Sequence, residues 1–142
     1  MSKIPAHATA VPVATLVGAV PDRPCGVLYI CRADTQIVAR TLGDLRGFAD
    51  ACGWPVLQEV YDLAPPDVPR RRRIGWRTVE HLVLDGEVNA VIAPAEREIA
   101  WTHREQIALR AWLRGVSACA LYPQHGALPA ACDPMRPEGT TA

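Results

Sequence analysis

Serine is nearly absent from this chain of 142 residues: only Ser2 and Ser117 occur. Ser2 lies among small residues and prolines, and Ser117 falls in a run that reads as a buried strand. Neither suits a nucleophile, and no G-x-S-x-G elbow is present. Lysine is absent beyond Lys3. There is no G-x-G-x-x-G and no P-loop, so dinucleotide or nucleoside triphosphate binding through those cradles has no support. The five cysteines contain no C-x-x-C pair and the four histidines no H-x-x-x-H pair. The spacing of a zinc site is therefore missing, and neither a metal nor another cofactor is expected. No apolar run approaches the roughly 18 residues that cross a bilayer, so no membrane partner is expected. Net charge is absent too: 15 Lys+Arg stand against 15 Asp+Glu. That balance argues against a uniformly basic coat for nucleic acid.

What is present is enough apolar material for a core. The hydrophobic fraction is 49%, which excludes wholesale disorder, and the length fits one domain of ordinary size. Fourteen of the 15 basic residues are Arg, and four are consecutive, Arg70, Arg71, Arg72 and Arg73, with Arg77 one helical turn later. GC-rich codon usage accounts for the preference for Arg but not for the clustering. Cys31 and Cys119 sit inside apolar runs and read as small buried hydrophobes. Thiols without a disulfide framework suit a reducing compartment. No A-x-A cleavage site follows the apolar stretch 10–20, so the expected location is the cytoplasm.

Small residues and Pro dominate both ends, giving an expected flexible tail at 1–24, a domain at 25–122 and a second flexible tail at 123–142. The body alternates between strand-like and helix-like segments. Residues 26–31 form a short apolar run rich in β-formers. Val38, Leu42, Leu45, Ala49 and Cys52 follow at spacings of four, three, four and three, one face of a helix over 35–52. Gly53 stands at its C-terminal cap, Pro55 forbids continuation, and 56–61 reads as a strand. A polar, Pro-rich loop leads into the Arg run. A second helix over 74–84 carries Trp76, Val79 and Val83 inward, and Asp85-Gly86 ends it. A third strand covers 88–93, a third helix 102–114, and a fourth strand 116–122. Strands alternating with helices imply an α/β domain of three layers, with a four-stranded, mainly parallel sheet between helices.

In such sheets ligands gather at the carboxyl ends of the strands. Arg32, Arg73 and Arg97 fall in or beside the loops expected there. Converging guanidinium groups bind phosphate bidentately and stabilise a phosphoryl transition state. The plainer alternative is that each pairs with a local carboxylate: Arg32 with Asp34, Arg97 with Glu96 or Glu98. Arg70, Arg71 and Arg72 stand in a loop from which they could touch phosphates or simply be solvated. Trp76 and Trp112 suit core positions better than base stacking.

The order of these segments resembles the catalytic domain of serine recombinases, the resolvase/invertase family. That family opens with Y-x-R-V-S-T-x-x-Q, and this chain has Tyr29-Ile-Cys-Arg-Ala-Asp-Thr-Gln36. The family's R-Q-L-x-x-L-x-x-x-A-x-x-x-G-W is matched by the segment from Arg40 to Trp54, which keeps Leu42, Leu45, Ala49, Gly53 and Trp54. Its D-R-P-G-L helix start is matched by Arg72-Arg-Ile-Gly-Trp76, its G-E-V-D-x-V-V-V by Gly86-Glu-Val-Asn-Ala-Val-Ile-Ala93, and its L-D-R-L-S-R by Ala95-Glu-Arg-Glu-Ile-Ala100. The resemblance spans about 26–123.

The departures bear on function. The family's serine attacks a DNA phosphodiester and holds the broken end. The matching position here is Asp34, or Ala33 if a one-residue gap is placed differently. A carboxylate there repels a phosphate and neutralises nearby Arg. Arg32, Arg73 and Arg97 match three of the family's active-site arginines, whereas the last Arg of its final motif is Ala100. Pro123 and a Pro-rich stretch stand where the family has its long dimerisation helix. The resemblance implies a pseudoenzyme: a degenerate site at Asp34, Arg32, Arg73, Arg97 and Ala100, with no catalytic residue expected. The phosphate- or DNA-binding set would be Arg32, Arg70, Arg71, Arg72, Arg73 and Arg97. The implied partners are a DNA backbone, a second copy of the chain or another protein. Two other readings stay open: an active phosphoryl-transfer enzyme using Asp34 with Arg32 and Arg97, and a protein-interaction module without a nucleic-acid role.

Overall fold

Six consecutive buried residues start the central strand β2, Gly26–Arg32. A strand covered on both faces has no need of polar alternation, which is why this run is continuously apolar. In a computed structural model, which describes residues 13–123, β2 is flanked in parallel by β3 (Val56–Leu63) and β4 (Ala90–Ile92), and β4 in parallel by β5 (Cys119–Pro123). Residues 1–12 and 124–142, which belong to the expected tails, lie outside the described residues.

The sheet has five strands rather than the expected four. Its order is β1-β5-β4-β2-β3. The additional strand β1, Ala14–Val17, comes from the stretch expected to be a tail and pairs antiparallel with β5, Ala14 opposite Pro123 and Thr15 opposite Tyr122. It is four residues long and bonded on one side only, so it needs neither a long apolar run nor full burial.

Helices cover both faces, as expected. α1 (Thr35–Cys52) lays Val38, Leu42, Leu45, Phe48 and Ala49 on one face, against Leu28, Ile30, Ile92 and Leu121. Asp34 starts it as the N-cap, and Gly53 ends it in the left-handed conformation (φ 77°). Glycine takes this conformation without the steric penalty of a Cβ. α2 (Ile74–Leu84) and the later helix α4 (His103–Gly115) cover the other face. Trp76, Val79, Val83, Leu109 and Leu113 pack there with Val27, Tyr29, Val91 and Ala93. Thr102 and Glu105 form a capping box at the start of α4.

Three local expectations change. Arg70–Arg72 is a single 3₁₀ turn rather than open loop. A four-residue helix α3, Glu96–Ile99, precedes α4. The last strand begins at Cys119 because Val116 caps α4 and Ser117 takes φ 56° in an exposed turn, not in a strand. No helix among the described residues is long and apolar enough to cross a membrane. The crossover through α1 runs from β2 to β3, and the one through α2 runs back past β2 to β4. The topological switch point therefore lies between the carboxyl ends of β2 and β4.

Candidate functional site

Two loops meet at that switch point. β2 ends in Arg32, and the chain after β4 runs through Pro94 into α3. Glu98 on α3 is buried, 4% exposed, and its carboxylate is the hub. Oε1 accepts from Arg32 Nε at 2.8 Å and from Arg32 Nη2. Oε2 accepts from the Cys31 backbone N–H at 3.4 Å. The Arg32 side chain keeps 41% of its surface in water, so its charge is matched but not hidden. The partner is Glu98, not the neighbouring Asp34.

Asp34 is exposed, and its Oδ1 accepts from the backbone N–H groups of Gln36 (2.8 Å) and Ile37 (3.2 Å). The carboxylate serves as an N-cap, the role for which Asp is among the preferred residues.

Arg73 differs most from expectation. It is 3% exposed, and its donors are spent on fixed oxygens. Nε reaches Val68 O at 2.8 Å and Nη2 reaches Pro66 O at 2.7 Å. Nη1 bonds the Glu98 carbonyl and, at 3.4 Å, the Tyr29 hydroxyl. Arg73 thus ties the Pro-rich loop to α3 and presents no free fork to a ligand. Burial is tolerated because each of the three guanidinium nitrogens has at least one oxygen acceptor.

Asp62 stands beside it at the end of β3. It accepts from the Tyr29 hydroxyl (2.6 Å) and from the N–H groups of Gly75 (2.7 Å) and Trp76 (2.9 Å), anchoring the start of α2. Burial first, then the bond to Asp62, pushes the Tyr29 phenol well above its ordinary range. Burial also raises the Cys31 thiol, so it is not an activated thiolate. Gly75 is required by packing: a Cβ there would collide with the Tyr61 carbonyl oxygen and lie 2.8 Å from Asp62 Oδ2.

Arg97 is exposed and lies over the Trp101 ring, 4.4 Å from its centroid. Neither neighbouring carboxylate holds it: Glu98 takes Arg32, and Glu96 takes Arg110 in a bidentate pair at 2.7 and 2.6 Å. Ala100 is fully buried. Arg70 is half-buried, its guanidinium 5.9 Å from the Trp76 centroid and 3.3 Å from the Glu105 carbonyl, and burial lowers its pKa. Arg71 and Arg72 are exposed. Arg70 and Arg71 share a groove of about 270 Å³ with Pro69, Arg104, Glu105 and Ala108.

The fold thus brings Arg32 and Arg73 onto Glu98, leaves Asp34 as a cap, and turns Arg71, Arg72 and Arg97 outward. Sequence reasoning missed Glu98 as the hub, Asp62 as the anchor of α2, and Arg104 as a neighbour of the Arg run. Glu98 was visible as a carboxylate near Arg97, but its bond to Arg32 spans 66 residues. Among the described residues no group of three or more His, Cys, Asp or Glu side chains could hold a metal ion.

No protein-family model matches the sequence, and no curated protein does. Solved structures do match the fold. The C-terminal catalytic domain of ISC1926 TnpA, an IS607-like serine recombinase, superposes with a TM-score of 0.53 at 20% identity, covering 63% of this chain and 64% of that one. The N-terminal catalytic domain of TP901-1 integrase gives 0.51 at 17% identity, covering 60% and 65%. The chain spans just under two thirds of the length of each. At these identities the likeness establishes the fold: that of a serine recombinase catalytic domain.

Proposed function

We propose that this resolvase-like domain is catalytically silent and acts as a regulatory module that binds a nucleic-acid backbone through its outward-facing arginines. The observation that carries the reading is the fate of Asp34. It stands at or beside the position of the family's nucleophile, and its Oδ1 is engaged by two backbone N–H groups at the start of α1. A capping carboxylate next to a phosphate pocket repels the phosphate it would have to attack.

The surrounding arginines support the same reading. Transition-state stabilisation needs donors aimed at developing charge. Arg32 is matched by Glu98, and Arg73 is spent on interior oxygens. Arg71, Arg72, Arg97 and Arg104 remain on the surface. Exposed guanidinium groups suit phosphate contacts that position a backbone without reading sequence. With a net charge of zero, such binding is local and depends on these few side chains. Such a module acts in the cytoplasm, where the free thiols of Cys25, Cys31, Cys52 and Cys119 persist.

The test is incubation with supercoiled plasmid and with short duplexes, followed by denaturing electrophoresis. The expected result is salt-sensitive binding with no nicked plasmid and no covalent protein–DNA adduct. A covalent adduct that disappears in Asp34→Ala would overturn the reading in favour of an active enzyme. The absence of salt-dependent binding would overturn it in favour of a protein-interaction module.

A further inference from the structure

Trp101 is the exposed one of the four tryptophans, with 39% of its surface in water. Trp76 is part of the core, and Trp54 and Trp112 pack against it, whereas Trp101 belongs to neither apolar cluster. Its indole is therefore not spent on holding the fold together, and it offers an aromatic surface to whatever approaches.

The backbone on either side of this ring is fixed. Ala100 is fully buried, and its carbonyl accepts from Gln106 Nε2 at 3.1 Å. Thr102 caps α4, and its own N–H donates to Glu105 Oε1 at 2.9 Å. Trp101 is carried by a tied corner between α3 and α4, so its position is set before any ligand arrives.

Arginines precede and follow that corner. Arg97 of α3 lies over the ring. Arg104 stands in the first turn of α4, where it shares a groove with Arg70 and Arg71. Arg70 Nη1 donates to the Glu105 carbonyl at 3.3 Å, which joins the Arg run to the same turn. The carboxylates of these two helices are engaged: Glu96 by Arg110, Glu98 by Arg32 and Glu105 by Thr102. Cations that follow a backbone, with an aromatic ring among them on which a base can stack, are the combination that holds an unpaired strand.

We infer that the backbone taken by this surface is that of a single-stranded nucleic acid, with one unpaired base stacked on Trp101 in place of the Arg97 guanidinium. The inference rests on the backbone-binding reading and names its ligand class. Magnitudes favour the base over the cation. An exposed guanidinium over an aromatic ring is worth about two- to five-fold in an equilibrium constant, and a stacked base about five- to 150-fold. Arg97 keeps its charge when displaced and is then free for a phosphate. A duplex cannot use the ring in this way, because its bases are already paired and stacked and extruding one costs free energy.

The test is an anisotropy titration of labelled oligothymidylate and of a duplex of equal length, with tryptophan emission read alongside. The proteins are the full-length wild type, Trp101→Leu and Trp101→Phe. Wild type should bind the single strand at least about five-fold more tightly than the duplex, and its emission should be quenched as the base covers the exposed indole. Trp101→Leu should lose the quenching and about five-fold or more of the single-strand affinity. Trp101→Phe should keep most of that affinity, and thermal unfolding should show both variants folded. Single-strand binding no tighter than duplex binding, or unchanged in Trp101→Leu, would overturn the inference, while salt-dependent binding of both forms would still uphold the backbone-binding reading. No salt-dependent binding of either form would overturn both.

Discussion

Arg32 and Glu98 form an ion pair across the switch point with unequal burial: 41% of the Arg32 side chain is exposed and 5% of the Glu98 side chain. The carboxylate is the costly partner to bury, and it is satisfied by Arg32 and the Cys31 N–H together. The guanidinium is the partner that still reaches water. At the carboxyl end of the central strand, then, sits a cation whose charge is already matched from inside.

Glu98→Gln separates these roles. The amide keeps the shape and an acceptor but removes the charge. Denaturant unfolding should show a loss of about 1–3 kcal/mol, toward the low end because Arg32 stays partly solvated. Arg32 then becomes an unmatched cation, and the log–log slope of DNA affinity against salt should steepen by about 0.9.

Two tyrosines offer opposite outcomes from the same substitution. Tyr29→Phe removes one of three donors to buried Asp62 and should cost about 1–3 kcal/mol in chemical unfolding. Tyr122→Phe removes a hydroxyl that has no partner among the described residues. It should leave stability unchanged or raise it by about 1 kcal/mol. Equal destabilisation by the two would contradict the hydrogen-bond assignment.

Gly75→Ala places a methyl group against the Tyr61 carbonyl and the Asp62 carboxylate. Since Asp62 also bonds Tyr29, the clash spreads into the core. Overpacking of this kind costs about 1–3 kcal/mol. The check is a lower urea midpoint than for Gly47→Ala in α1, where a Cβ meets nothing within 4 Å.

Alkaline pH should destabilise the fold. Burial pushes the Cys119 thiol up to about 11 from its ordinary 9.0, and it raises Cys31 in the same direction. The native state therefore holds protons that the unfolded chain releases. Stability is fully present below the unfolded pKa and is lost as pH climbs from about 9 towards 11. For Cys119 the loss is about 2–3 kcal/mol, two pKa units' worth. Unfolding midpoints measured across this window should fall less steeply in Cys119→Ala than in wild type.

The sequence carried the fold further than the site. α1 was legible because its apolar residues recur at helical spacing between a Thr35 start and a Gly53 stop. β2 was legible because burial on both faces leaves an unbroken apolar run. β1 was not, because a four-residue edge strand among prolines needs too few apolar residues to stand out. Arg73 shows why the site was harder. From the sequence it reads as a phosphate-binding group at the mouth of the site, but the carbonyls of Pro66, Val68 and Glu98 claim it in the interior. Only tertiary structure distinguishes it from Arg71 and Arg72. The carboxylates nearest in sequence to Arg32 and Arg97 are displaced likewise, by Glu98 from α3 and by the Trp101 ring.

Backbone binding by the outward arginines is tested most directly by a salt titration of short-duplex binding, with wild type beside the combined variant Arg71→Ala, Arg104→Ala. These two arginines share one groove, and both are exposed. For wild type, log affinity should fall linearly with log salt. The variant's slope should be shallower by about 1.8, or 0.9 for each phosphate no longer neutralised. Identical slopes, or wild-type affinity that ignores salt, would contradict a phosphate-binding role for this surface.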